Sequence, residues 1–312
     1  MASARAARWS LIAAIVIMVV WAVTFSVNKY VLDRIGVGPT LFLRFAIMPL
    51  LALPLVLLVF RRNLRSAMPR REDMLRFAFC GLLGHTLHVG VVIWGINLST
   101  AFSSALVLTS GPLFTLLILA ALGAEKLHTR QVAGTLFAFA GIVLFLSDKF
   151  VAGFALAGLG DLVLLFAASL FSLYTVVVRP LTDRYGPILV LAWTLAFGAP
   201  PMLLLTLPSM ISASAATFTP AVWVGVLWAT IVSAFLGWLV WAWVNTARGV
   251  ARSAPLMYLM PPTAGIAAWL TLGETFTALK LAGAAITMAG VAWAQFGGAR
   301  PLPKESAQAD SG

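Results

Sequence analysis

Residues 125–144 read EKLHTRQVAGTLFAFAGIVL, and residues 274–293 read ETFTALKLAGAAITMAGVAW. The second stretch repeats the glutamate and two Ala-Gly pairs of the first at a distance of 149 residues. Extended to 94–144 against 243–293, the comparison gives nine identities, including a Trp, a Pro and two Ser-Ala positions. Residues of these kinds do not fill apolar helices by default, so their agreement indicates an internal duplication.

The chain as a whole is strongly apolar. Of its 312 residues, 61% are hydrophobic and 10% are charged, whereas soluble domains contain about 25% charged residues. This composition excludes a soluble globular protein. A disulfide scaffold is excluded as well, because Cys80 is the single cysteine.

Ten apolar runs, each of about 20 residues, are long enough to cross a bilayer as helices. They cover residues 9–31, 39–60, 75–97, 101–122, 130–148, 156–178, 187–207, 219–245, 251–272 and 277–297. We therefore predict an all-α integral membrane protein with ten transmembrane helices. The predicted domains are one five-helix repeat over 9–148, a second over 156–297, and a disordered cytoplasmic tail over 298–312.

The basic residues predict the orientation of these helices. Sixteen of the 21 Lys and Arg residues fall in gaps on the side of the N-terminus, four fall on the other side, and Arg44 lies within a span. Because cytoplasmic loops carry the excess of basic residues, both termini are predicted to be cytoplasmic. The net charge of +11 then reflects topology and contact with anionic lipids, and no nucleic-acid partner is expected.

Five helices per repeat is an odd number, so the second repeat enters the membrane from the opposite face. Inverted repeats of this kind are characteristic of secondary transporters, whose substrate site lies near the midplane between the repeats. The alternative is that the duplication only builds a stable helical bundle.

Several motifs follow one another across the helices. They are WAVTFSVNK at 21–29, RF at 44–45, PLF at 112–114, GDLVLLFAASLFSLYTVVVR at 160–179, and the two repeat stretches quoted above. In this order the chain resembles the drug/metabolite transporter superfamily, of the type with two EamA domains, over nearly all of residues 9–297. The resemblance implies an exporter or exchanger of small metabolites, including amino acids, in the inner membrane. Ala22 departs from the Gly that is common in the family, a change that concerns helix packing.

Residues at helical spacing predict a central cavity. His85 and His88 lie near the middle of the third span, and at the 149-residue offset the eighth span presents Ser233, Gly237 and Trp241 on the matching face. Histidines are costly in lipid and usually face a cavity or a partner. Small residues on such a face are alternatively explained by close helix packing.

Aromatic residues and prolines complete the predicted central layer. Trp21 lies near the middle of the first span, and Tyr174 and Tyr258 are candidates for stacking on a flat substrate, with interfacial anchoring as the alternative. Pro112 and Pro261 are predicted to kink the fourth and ninth spans.

Three acidic residues and one arginine remain as candidates. Arg44, inside the second span, would hold a substrate carboxylate or pair with Asp161 as a gate; the alternatives are snorkelling to the headgroups or capping a broken helix end. Glu125 and Glu274 form a repeat pair next to helix ends, and we predict a structural role for them because a carboxylate stabilises a helix N-terminus.

The sequence predicts a transporter without a chemical step. It has no Walker-type phosphate loop and no metal-ligand spacing, so no catalytic residue, cofactor or metal is expected. The favoured function is alternating-access transport of an amino acid or related amphiphile by a monomer, with any proton coupling through a His. The alternatives are multidrug or cation efflux, a channel, or a membrane-embedded enzyme acting on lipid-linked substrates.

Overall fold

Apolar helices make up nearly all of the structure. A computed structural model describes residues 2–123, 128–151, 156–248 and 254–296, and these ranges contain no β-strand. The predicted tail at 298–312 lies outside the described residues. The helical segments are α1 Ala2–Ile35, α2 Val37–Val59, α3 Arg71–Leu98, α4 Ala101–Ala121, α5 Thr129–Val151, α6 156–185, α7 187–211, α8 220–248, α9 254–272 and α10 Ala278–Phe296.

Two connections are shorter than the sequence suggested. Gly36, with a φ of 73°, is the only residue between α1 and α2, and Gly186, with a φ of 76°, interrupts the helical stretch Leu156–Ile211. Glycine adopts positive φ without steric cost because it lacks a Cβ atom. The helix therefore continues up to each glycine, and the charged residues nearby lie on helix ends instead of in loops.

Segments of the described chain have the length and composition of membrane spans. Seven of them qualify when Gly158–Ile211 is taken as one, and Leu256–Leu272 and Ala278–Ala294 are apolar but shorter. Their outer surface is apolar, as Leu50, Leu204 and Ile211 show with exposures of 71%, 72% and 75%. Water would disfavour so large an apolar surface, whereas lipid tails accept it.

The connection from α2 to α3 is tied to α6 and α7 by polar contacts. Asp73, in the first turn of α3, accepts hydrogen bonds from Tyr185 Oη at 2.5 Å and Arg184 Nη1 at 2.7 Å. Trp193 Nε1 donates to the Ala67 carbonyl at 2.8 Å. These contacts fix the position of α3, which carries both of the predicted central histidines.

The helices α5 and α10 pack with their backbones in close approach. A Cβ atom added at Gly141 would lie 2.4 Å from Thr287 N, and one added at Gly290 would lie 2.3 Å from Ala138 N. Such distances leave no room for any side chain at either glycine. The pair therefore depends on small residues, as membrane helices that touch closely do.

Candidate functional site

A cavity of about 230 Å³ lies inside the bundle, among residues of α1, α2, α3, α6 and α8. Its polar lining consists of Trp21, Thr24, Asn28, Arg44, His85, His88, Tyr174 and Ser233. Apolar side chains, including Phe45, Phe171 and Trp238, complete the wall. Six of the residues predicted for the central site thus line one space: Trp21, Arg44, His85, His88, Tyr174 and Ser233.

A π-helical turn in α3 positions the two histidines. Residues Leu82–His88 form this turn, a wider helical geometry that is frequent at functional sites. His85 Nε2 lies 3.0 Å from Thr194 Oγ1, and Thr194 donates its own hydroxyl proton to the Val190 carbonyl at 2.6 Å. The proton of the first contact must therefore come from His85 Nε2.

The second histidine has the opposite tautomer. His88 Nδ1 lies 3.0 Å from the Ala167 carbonyl, which can only accept, so Nδ1 is the donor. When neutral, His88 retains Nε2 as an acceptor, and His85 retains Nδ1. The two rings thus bind α7 and α6 through one nitrogen each and keep the other nitrogen for a hydrogen-bond donor.

Glycines in α3 and α7 provide the space for these side chains. A Cβ atom at Gly84 would lie 2.5 Å from the Tyr174 ring, and one at Gly198 would lie 2.4 Å from the Gly81 carbonyl oxygen and 2.7 Å from His85 Cβ. The small residues of the predicted stripe therefore serve close packing, which is the alternative that the sequence left open for them.

The opposite wall is built by Trp21 and α8. The indole Nε1 of Trp21 donates to the Ser233 carbonyl at 2.9 Å, within a second π-helical turn, Trp228–Leu236. Gly237 accommodates the Trp21 ring, because a Cβ atom there would lie 2.7 Å from Nε1. The Trp241 ring packs edge-on against Trp21 at a centroid distance of 5.7 Å. Gly237 and Trp241 thus support the wall from behind and do not line the cavity.

Arg44 is the only Lys, Arg, Asp or Glu in the described lining. Its guanidinium makes no hydrogen bond or ion pair with any described residue. The predicted partner Asp161 is fully buried at the start of α6, where it accepts a hydrogen bond from the Ser99 hydroxyl. The Arg44–Asp161 ion pair is therefore not formed in this structure, because Asp161 faces the end of α3 instead.

The remaining predicted residues lie away from the cavity. Tyr258 packs against the cluster that contains Leu113 and Val291, and its buried hydroxyl has no hydrogen-bond partner. Pro112 and Pro261 stand in the first turns of Gly111–Ala121 and Met260–Leu272, where each begins a new α-helical segment within its span.

Glu274 caps a neighbouring helix. Its Oε1 accepts from Ala101 N at 2.6 Å and its Oε2 from Phe102 N at 3.3 Å, at the start of α4. The carboxylate thus satisfies free amides at a helix N-terminus, the structural role expected of it. Its repeat partner Glu125 lies outside the described residues.

We expect Glu274→Ala to lower the free energy of unfolding by about 1 kcal/mol, because two backbone N–H groups lose their acceptor. Thermal denaturation in detergent, followed by tryptophan fluorescence, measures the change. Glu274→Gln retains one carbonyl acceptor and should lose less than Glu274→Ala. Equal stability of Glu274→Ala and the unsubstituted protein would contradict the capping role.

Sequence reasoning missed Asn28 and Thr24 as lining residues. The signal was available, since Trp21, Thr24 and Asn28 follow one another at intervals of three and four residues and so share one face of α1. Within the described ranges, no three His, Cys, Asp or Glu residues are grouped so that they could hold a metal ion.

Comparisons with known proteins agree with this architecture. The chain matches the EamA-like transporter family twice, over residues 8–147 and over residues 158–295. It belongs to the EamA-like transporter family. Both matches together include every helix that lines the cavity, and the transporter is accordingly a multi-pass membrane protein and not an enzyme.

Two curated relatives of this EamA-like transporter cover nearly its whole length. A "Probable terminal-alkyne amino-acid exporter" of Streptantibioticus cattleyicolor is 28% identical over 285 residues, which are 91% of this chain and 92% of the relative. A "Probable amino-acid metabolite efflux pump" of Salmonella typhimurium is 27% identical and covers 89% of this chain and 92% of its own length. A solved structure superposes with a TM-score of 0.64 at 19% identity, covering 95% of this chain and 99% of the other, which is a likeness of fold.

Proposed function

We propose that this EamA-like transporter exports or exchanges a small metabolite, an amino acid or a related amphiphile, through the central cavity by alternating access. The observation that carries the proposal is the lining: one arginine without an ionic partner, two histidines with free ring nitrogens, and aromatic side chains. A substrate with a carboxylate would satisfy the arginine, and an apolar side chain would contact Trp21, Phe171 and Trp238.

The packing of α5 against α10 supports two inverted repeats. Gly134 approaches Ala294, and Gly283, 149 residues after Gly134, approaches Phe145, which lies 149 residues before Ala294. The contacts of Gly141 with Thr287 and Gly290 with Ala138 are exchanged by the same offset. Reciprocal contacts of this type are typical of a two-fold axis. The partner number falls as the glycine number rises, so the helices run antiparallel.

Other local features recur at nearly the same offset. The positive-φ glycines form the pairs Gly36 with Gly186 and Gly123 with Gly273. The π-helical turn Leu82–His88 has its counterpart in Trp228–Leu236. With α6 and α7 as separate spans joined at Gly186, and with α9 and α10 added, the proposed architecture has ten transmembrane helices. We place both termini in the cytoplasm and the protein in the inner membrane, on the distribution of basic residues.

The size and charge of the cavity favour a small carboxylate-bearing substrate over a cationic drug. Pockets for drug-sized ligands occupy roughly 300–1,000 Å³, and this cavity is smaller, at about 230 Å³. A cationic substrate would need a carboxylate, yet none belongs to the described lining. The printed names of two relatives, an amino-acid exporter and an amino-acid metabolite efflux pump, support the same substrate class.

Counterflow in proteoliposomes tests this proposal. Vesicles containing the protein are loaded with the twenty standard L-amino acids, and uptake of each radiolabelled amino acid is measured with and without a pH gradient. We expect accumulation of at least one amino acid above that of protein-free vesicles. Failure of all twenty would refute the amino-acid substrate class.

A further inference from the structure

Asn28 is a polar residue of the cavity that the fold does not use. Its side chain is 6% exposed and lines the cavity, and its carboxamide oxygen has no hydrogen-bond partner. The carboxamide also makes no other side-chain hydrogen bond with the described residues. Buried amides in native proteins are normally hydrogen-bonded, so a group from outside the chain is the natural partner.

Asn28 and Arg44 lie at the same depth. Asn28 stands eight residues before Gly36, the turn between α1 and α2, and Arg44 stands eight residues after it. At about 1.5 Å of rise per helical residue, each is about 12 Å from that turn. Both side chains line the same cavity, and they are not hydrogen-bonded to each other.

The two side chains have complementary chemistry for one anion. The guanidinium of Arg44 offers only donors, and the carboxamide of Asn28 offers two N–H donors at one end of a group that turns about its terminal torsion angle. The described lining contains no carboxylate that would occupy these donors. A carboxylate bound between α1 and α2 would accept from both.

We infer that Asn28 donates a hydrogen bond to the substrate carboxylate and forms, together with Arg44, the subsite that selects carboxylate-bearing substrates. The inference rests on the proposed transport of amino acids. Arg44 supplies the charge, whereas Asn28 supplies direction, since its donors approach the carboxylate from the neighbouring helix.

The test uses the full chain in proteoliposomes loaded with an equimolar mixture of the twenty standard L-amino acids, with the same mixture in radiolabelled form outside. Asn28→Asp preserves the side-chain shape but removes both N–H donors, and Asn28→Ala removes the whole amide. We expect either substitution to raise the half-saturating concentration about tenfold. The matched control is Ser26→Ala, which removes a buried, unpartnered hydroxyl from α1 outside the cavity lining and should leave exchange unchanged.

Competition separates a binding role from a structural one. A mixture of the corresponding amino-acid amides, which lack the carboxylate, should inhibit the unsubstituted protein more weakly than the free amino acids, and Asn28→Ala should reduce that preference. An unaltered preference and unchanged half-saturation in both Asn28 variants would overturn the inference and leave the proposed function intact. Absence of exchange in the unsubstituted protein would instead overturn the proposed function, and the subsite with it.

Discussion

Arg44→Gln is expected to reduce amino-acid exchange about 100-fold at substrate concentrations below half-saturation, the effect of removing a charged partner from a buried carboxylate. The guanidinium lines the cavity and has no partner among the described residues. Its charge is therefore free to bind a substrate carboxylate, and no other Lys or Arg of the described lining replaces it.

The same substitution should leave stability unchanged or slightly raised. An unpaired charge in a partly desolvated site costs free energy in the folded state, so its replacement by a neutral amide removes a cost. Loss of transport together with an equal or higher denaturation temperature would identify Arg44 as a binding residue. A merely structural arginine would give a parallel loss of stability.

Two further variants sharpen this experiment. Arg44→Lys keeps the charge but loses the forked donors, so its exchange should lie between those of the unsubstituted protein and Arg44→Gln. Arg34→Gln removes an exposed guanidinium that stacks on Tyr30 at 3.5 Å, outside the cavity, and should leave exchange intact. Exchange by Arg44→Gln at the unsubstituted rate would refute the role of this arginine in the subsite.

Gly290→Ala and Gly141→Ala are each expected to lower the free energy of unfolding by about 1–3 kcal/mol, the usual cost of overpacking. The added methyl groups would meet backbone nitrogens, those of Ala138 at 2.3 Å and Thr287 at 2.4 Å. A backbone cannot rotate away as a flexible side chain can, so α5 and α10 must separate. Helix propensity predicts the opposite sign, because Ala stabilises a helix relative to Gly.

Tryptophan fluorescence during thermal denaturation in detergent measures these effects. Gly111→Ala is the matched control, since a Cβ atom there would lie 3.8 Å from its nearest neighbour, Ser172 Oγ, which is an ordinary contact distance. The two-fold relation further predicts that Gly141→Ala and Gly290→Ala destabilise by similar amounts. Stabilisation by either one would contradict the close packing of α5 and α10.

Several features of this protein could be predicted before its structure was known, because they follow from local composition. The apolar runs predicted helices, and the quoted motifs predicted the EamA-type family to which the chain belongs. His85, His88 and Trp21 were recognised as central because a polar or aromatic residue in the middle of an apolar helix is unusual. Asn28 was missed, although it shares a helix face with Trp21.

The partners of these residues depend on the tertiary structure. Nothing within α6 indicates that Asp161 bonds to Ser99 and not to Arg44, nor that Gly237 accommodates Trp21 instead of lining the cavity. Such contacts join residues far apart in the chain, and they depend on helix rotation and crossing. The sequence alone determined the apolar helices, their internal repetition and the type of residue placed in the membrane, because these depend on local hydrophobicity and residue identity. The tertiary structure decided which of those residues share a cavity and leave Arg44 without a partner, because helix packing brings side chains together over distances that no local pattern encodes.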